Sequence, residues 1–155
     1  MTLEEKTVGM VMSKTVMAME LNVSAKDCAK AMAKRGVSCA VITQEGSAVG
    51  IVTERDLVSK VLAESIDAKN VLVRDIMSTP LITVAPDVPL TGAAELMARY
   101  RIRRLVVVDA DGAMAGLVTT GDIARTLAEK QGYREATLNA MARYSEGGPG
   151  NGPYQ

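Results

Sequence analysis

Two threonine–aspartate pairs with identical spacing, Thr53 with Asp56 and Thr119 with Asp122, are the side chains of this sequence best suited to chemistry. An ionised aspartate is purely an acceptor, and its two oxygens suit two vicinal hydroxyls, while a threonine hydroxyl both donates and accepts. The spacing is that of a capping box, which would set the carboxylate beside the unpaired N–H groups and positive dipole end of a helix, where a phosphate is favoured. The same residues serve as plain caps contributing about 1 kcal/mol each, and a duplicated unit would inherit its cap. Arginines supply the matching cationic chemistry: Arg55 lies inside the first motif, where the second has Gly121, and Arg99, Arg101, Arg103 and Arg104 cluster upstream of the second. A guanidinium grips phosphate oxygens in pairs, but a cation is also favoured at a helix C-terminus, which accounts for Arg99 and Arg101.

The remaining composition narrows the chemistry. The 155 residues contain no histidine, which removes the commonest general base and transition-metal ligand, and with them histidine triads, dyads and ordinary zinc sites. With no phosphate loop of the GxxxxGK type either, the expected protein is not an enzyme and needs no catalytic cofactor or metal. Eighteen basic and eighteen acidic residues cancel, so no global field attracts nucleic acid or an anionic membrane. Cys28 and Cys39 form no CxxC pair and read as buried structural thiols. The first residues, MTLEEK, lack the segments of a secretion signal and no apolar run approaches the ~20 residues of a membrane span, so a cytoplasmic protein is expected.

The elements that must position these residues come twice. At a shift of 65, Met12 falls on Met77, Ser13 on Ser78, Val23 on Val88, Met32 on Met97 and Val41 on Val106; an extra residue in the DADG turn then moves the shift to 66, which aligns GIVTERD with GLVTTGD. Each copy reads as strand, helix, strand, strand, helix. In the first, VMAMEL is a strand, Ser24 and Asp27 cap a helix that Gly36 ends, SCAVIT and AVGIVT form a hairpin across QEGS, and Thr53 opens a helix to about Leu62. In the second, LITV is a strand, a helix runs from near Pro89 to near Arg101, LVVVD and AGLVT flank DADG, and Thr119 opens the last helix. This is an α/β (α+β) chain with units at 8–65 and 73–130, an amphipathic helix at 133–146 and a disordered tail at 147–155. Neither unit buries much surface alone, so the two are expected to pair with approximate twofold symmetry.

MS before a strand at both unit starts, RIRRLVVVD before the turn, and the duplicated glycine-to-aspartate motif together resemble the cystathionine β-synthase (CBS) type domain pair, or Bateman module, over residues 8–128. The resemblance implies tandem CBS domains, each a three-stranded sheet with two helices, packed as a pseudo-twofold pair. It also implies a stand-alone regulatory or sensor role, with AMP, ADP, ATP or, more rarely, S-adenosylmethionine bound in clefts between the units, and a disc-like homodimer. Carried over by position, one cleft draws on Thr53 and Asp56 with Pro80, Leu81, Ile82 and Ile102, and the other on Thr119 and Asp122 with Val16, Met17, Val37 and Cys39. Arg103 and Arg104 occupy a position often basic in phosphate-binding relatives, where the first unit has Ser38 and Cys39, and Arg55 is placed to reach the second cleft. The clefts are therefore expected to differ. Val41 and Val106 replace a proline common in the family. The alternative is a structural protein-interaction module with empty clefts, using methionines such as Met32 and Met97 as an adaptable surface.

Overall fold

The structure, a computed structural model, describes residues 1–130; the helix expected at 133–146 and the tail expected at 147–155 lie outside the described residues. The chain forms α1 (Val8–Val11), β1 (Ala18–Glu20), α2 (Ala25–Arg35), β2 (Cys39–Gln44), β3 (Ser47–Thr53), α3 (Glu54–Leu57), α4 (Val73–Ile76), β4 (Thr83–Val84), α5 (Leu90–Tyr100), β5 (Arg104–Val108), β6 (Met114–Thr119) and α6 (Thr120–Lys130). Two three-stranded sheets result, ordered β1-β2-β3 and β4-β5-β6, in each of which the first pair is parallel and the second antiparallel.

Local chemistry accounts for most boundaries. The Ser24 side chain accepts from the Asp27 N–H at 3.0 Å and opens α2, and Gly36 closes it in the left-handed region at φ 63°. Arg101 takes the same role after α5 at φ 53°, a conformation that costs a non-glycine residue more. Glu45 and Gly46, at φ 50° and 83°, make the primed turn that suits a tight hairpin. In the DADG turn, Asp109 Oδ1 accepts from the N–H groups of Asp111 at 2.9 Å and Ala113 at 3.0 Å.

Three expectations need revision. VMAMEL is strand only over Ala18–Glu20, because β1 is an edge strand whose ladder partners are confined to Val41, Ile42 and Thr43; LITV likewise shortens to Thr83–Val84. The helix after Thr53 is α-helical only to Leu57, then widens into a π turn over Val58–Leu62, with the Ala63 N–H donating to Val58 O at 2.8 Å. Met32 and Met97 lie in the two cores, each 3% exposed, and offer no contact surface.

The compact units and the sequence repeats are not the same division of the chain. One unit is Val16–Leu81; the other joins residues 1–15 to the chain from Ile82 onward. Each repeat's leading segment therefore packs with the other repeat. Val8, in α1, is fully buried in the core with Val84, Leu90 and Leu105, while Val73 and Ile76, in α4, join Met32, Ile42 and Val52. The leading segments end on the sheets: Ser13 exchanges both backbone hydrogen bonds with Leu117 at 2.9 Å each, and Ser78 does so with Ile51 at 2.8 and 3.4 Å.

This crossing explains the glycine of both motifs. A Cβ on Gly116 would stand 2.6 Å from the Ser13 carbonyl oxygen and 2.8 Å from Met12 Sδ; one on Gly50 would stand 2.5 Å from Met77 Sδ. A side chain at either position collides with the Met-Ser segment lying across the strand. The obstacles differ in stiffness, since Met77 presents a flexible thioether and Ser13 a backbone oxygen held by hydrogen bonds. Gly116→Ala should destabilise the protein by about 2 kcal/mol and Gly50→Ala by less than about 1 kcal/mol, as measured by urea unfolding.

Candidate functional site

β3 and β6 each end on the threonine of a motif, and the helix that follows begins at the next residue. Both threonine–aspartate pairs form reciprocal caps. The Thr53 N–H donates to Asp56 Oδ2 at 2.9 Å, its hydroxyl at 3.1 Å, and the Asp56 N–H returns a bond to Thr53 Oγ1 at 3.3 Å. In the second repeat the corresponding distances are 2.8, 3.0 and 3.3 Å. One carboxylate oxygen of each aspartate is thus committed to its own helix, and any ligand chemistry falls to the other.

The outer oxygens differ. Asp56 Oδ1 lies 2.9 Å from Lys60 Nζ and accepts from Ser78 Oγ at 3.3 Å, so the carboxylate has four donors and is 7% exposed as a residue. Among the described residues, Asp122 Oδ1 has a single long contact, 3.5 Å to Arg125 NH1. Thr126, which holds the place of Lys60, is buried and turns its hydroxyl to the Asp122 backbone oxygen at 2.9 Å. Ser13, which holds the place of Ser78, donates instead to Thr15 O at 3.2 Å.

The strand entry across from each motif also differs. Cys39 faces Thr53 in the β2–β3 register, and the Glu54 N–H donates to Ser38 O at 3.0 Å. Arg104 faces Thr119 in the β5–β6 register, and the Thr120 N–H donates to Arg103 O at 3.0 Å. The second motif is therefore flanked by two guanidinium-bearing residues where the first is flanked by a hydroxyl and a thiol.

Of the other residues singled out from sequence, Val16, Met17, Val37, Pro80 and Leu81 share a unit with Thr53 and Asp56, whereas Ile82 and Ile102 share one with Thr119 and Asp122. Met17, Val37, Ile82 and Ile102 pack on the cores of their own units. Arg55 is exposed, and among the described residues its side chain makes no hydrogen bond or ion pair. The Val41 N–H, which a proline would lack, donates to Met17 O at 2.9 Å, so the valine adds a rung between β1 and β2.

Lys60 and Ser78 were not legible as site residues from the motif alone. Two signals point to Lys60: it stands four residues beyond Asp56, on one helix face, and its counterpart Thr126 is uncharged. Burial raises the Cys28 thiol to about 11, leaving it protonated and unreactive near neutral pH. Among the described residues no three His, Cys, Asp or Glu side chains gather as a metal site, and no helix is long and apolar enough to cross a membrane. Since Asp56 joins a helix cap to a lysine and the 72–81 segment, Asp56→Ala should cost about 2 kcal/mol of stability, whereas Asp122→Ala should cost about 1 kcal/mol, measured side by side in urea.

Comparison with known proteins gives these repeats a context. The family model described as CBS domain matches residues 8–63 and again 73–129. An uncharacterized protein of Methanopyrus kandleri is 40% identical over 142 residues, covering 90% of this chain and 70% of the relative. A mitochondrial CBS domain-containing protein of Arabidopsis thaliana is 34% identical, and the match covers 79% of this chain and 60% of that protein's length. Among solved structures, a CBS domain pair in complex with 5′-methylthioadenosine and S-adenosyl-L-methionine superposes with a TM-score of 0.71 at 31% identity, covering 81% of this chain and 98% of that one. A CBS domain protein from Pyrobaculum aerophilum complexed with AMP gives 0.70 at 26% identity, with 88% and 98% covered. The CBS domain of a bacterial CNNM/CorC family Mg2+ transporter in complex with ATP gives 0.72 at 25% identity, with 81% and 89% covered.

Proposed function

Because this chain belongs to the CBS domain family, we propose that it is a regulatory module whose ligand is an adenosine compound, with the second repeat as the principal binding element. Asp122 carries this proposal: its Oδ2 is held by Thr119 while, among the described residues, its Oδ1 has only the 3.5 Å contact to Arg125, so one oxygen is poised to accept from ribose hydroxyls. Structural relatives solved with AMP, with ATP and with S-adenosylmethionine support the class of ligand. The common part of those molecules is the adenosyl group, and a carboxylate–diol contact would engage its ribose.

Phosphate preference follows from the arginines. Arg104 enters β5 opposite Thr119, and Arg103 precedes it, so both belong to the same end of the sheet as the N-terminus of α6. An anionic group bound there gains from the guanidinium forks and from the positive dipole end of α6. Ile82 and Ile102, half-buried on the same unit, offer apolar surface for the base. Binding would be reported by a change in stability or in a partner's activity.

Thermal unfolding of the full chain with AMP, ATP and S-adenosylmethionine tests the proposal. A ligand at one hundred times its Kd should add about 2.7 kcal/mol of stability, and the absence of stabilisation by all three at millimolar concentration would overturn it. Arg103→Ala and Arg104→Ala should each weaken AMP by roughly tenfold or more while leaving adenosine unchanged, because adenosine has no phosphate for a guanidinium to grip.

A further inference from the structure

Asp56 and Asp122 occupy the same place in two copies of one motif, yet the cation on the outer oxygen stands at 2.9 Å in the first, Lys60, and at 3.5 Å in the second, Arg125. Lys60 Nζ stands 2.9 Å from Asp56 Oδ1 and also donates to Ile76 O at 2.8 Å. Ile76 is the last residue of α4, whose terminal carbonyls have no partner within the helix. Lys60 thus binds two acceptors at once: a carboxylate at the start of α3 and a helix C-terminus in the segment leading to Met77 and Ser78. Ser78 Oγ adds the fourth donor to the carboxylate at 3.3 Å. A carboxylate offers about four lone-pair directions, and in Asp56 all are taken.

We propose that Lys60 is an internal competitor that closes the Asp56 carboxylate to a ribose diol, so that the chain takes up one adenosine ligand, through Asp122. This inference rests on the adenosine-binding function proposed above. A diol arriving at Asp56 must displace an ammonium with two neutral hydroxyls. Charge-assisted hydrogen bonds are about twice as strong as neutral ones, so the exchange is unfavourable at the carboxylate. It also strips Ile76 O of its donor, a loss the incoming hydroxyls do not repair. At Asp122 the cation to be displaced is Arg125 at 3.5 Å, a longer and weaker pair than Lys60 makes at 2.9 Å, and Thr126 and Ser13 direct their hydroxyls to backbone oxygens elsewhere.

The wider turn of the first repeat lies where Lys60 sits. Val58–Leu62 forms a π turn, whereas the corresponding part of α6 is regular α-helix. π turns recur where a helix is adapted to a local task, and here the turn contains the residue that spans from Asp56 to α4. Exposure of 42% for the Lys60 side chain shows that its aliphatic stem is not a core element, so its replacement by an isosteric apolar residue leaves the core intact.

Isothermal titration of the full chain with AMP reads the result directly. Wild type should bind one AMP per chain, and Asp122→Asn should abolish it. Lys60→Met should bind two, and the double variant Lys60→Met/Asp122→Asn should recover one, which a further Asp56→Asn change removes again. Two AMP per wild-type chain, or one AMP retained by Asp122→Asn, would overturn the inference without any lysine variant. A Lys60→Met protein that melts cooperatively but still binds one AMP would also overturn it. Binding by neither wild type nor Lys60→Met overturns the adenosine reading itself, a different result from any of these.

Discussion

The fold hangs on a close approach: a Met-Ser segment crossing a strand at a glycine. Ser13 is hydrogen-bonded to Leu117 and Ser78 to Ile51, and in each case the neighbouring glycine, Gly116 or Gly50, leaves the room the segment needs. Because residues 1–15 pack with the second repeat and 72–81 with the first, neither repeat's core is made only of its own sequence. Val8 and Val73, both fully buried, are core residues of the unit to which their repeat does not belong. A duplicated sequence has in this way produced two units linked by the crossing of the chain between them.

That crossing also decides where the motif's aspartates sit. The glycine, the strand and the capping threonine are consecutive, so a segment lying over the glycine brings its serine to the strand three residues before the carboxylate's helix begins. In the Val16–Leu81 unit the serine completes the approach and donates to Asp56; in the other unit Ser13 turns to Thr15 O. The same backbone thus carries two different polar arrangements. The difference is made by side chains outside the quoted motif: Lys60 against Thr126, and the partner chosen by each serine.

Much of this was legible in the sequence because it is local. Ser24 with Asp27, Gly36, the Glu45-Gly46 turn and both threonine caps depend on neighbours within a few residues, and each is formed as those residues require. The strand lengths were overestimated where a ladder ran out of partners, as at β1 and β4, which is a tertiary limit. α1 and α4 were missed because four residues show no helical period. The motif comparison singled out Arg55 against Gly121, yet Arg55 is exposed; the contrast with structural consequence is Lys60 against Thr126, one turn further on.

Duplication lets the two demands on a buried carboxylate be met separately. A fully satisfied polar network stabilises and fixes one geometry, whereas an oxygen left with a long, weak contact costs stability and stays available. Asp56, with four donors and a lysine bridging to α4, meets the first demand; Asp122, with the cap alone and a 3.5 Å arginine, meets the second. Departures from complete satisfaction tend to gather where a protein binds something, and the flanking arginines are on the side of the molecule's less satisfied aspartate. Had both copies kept the lysine, the motif would be punctuation twice over; had neither, each unit would carry a carboxylate short of donors. With one of each, a single structural duplication yields one anchor and, in the function proposed above, one receptor.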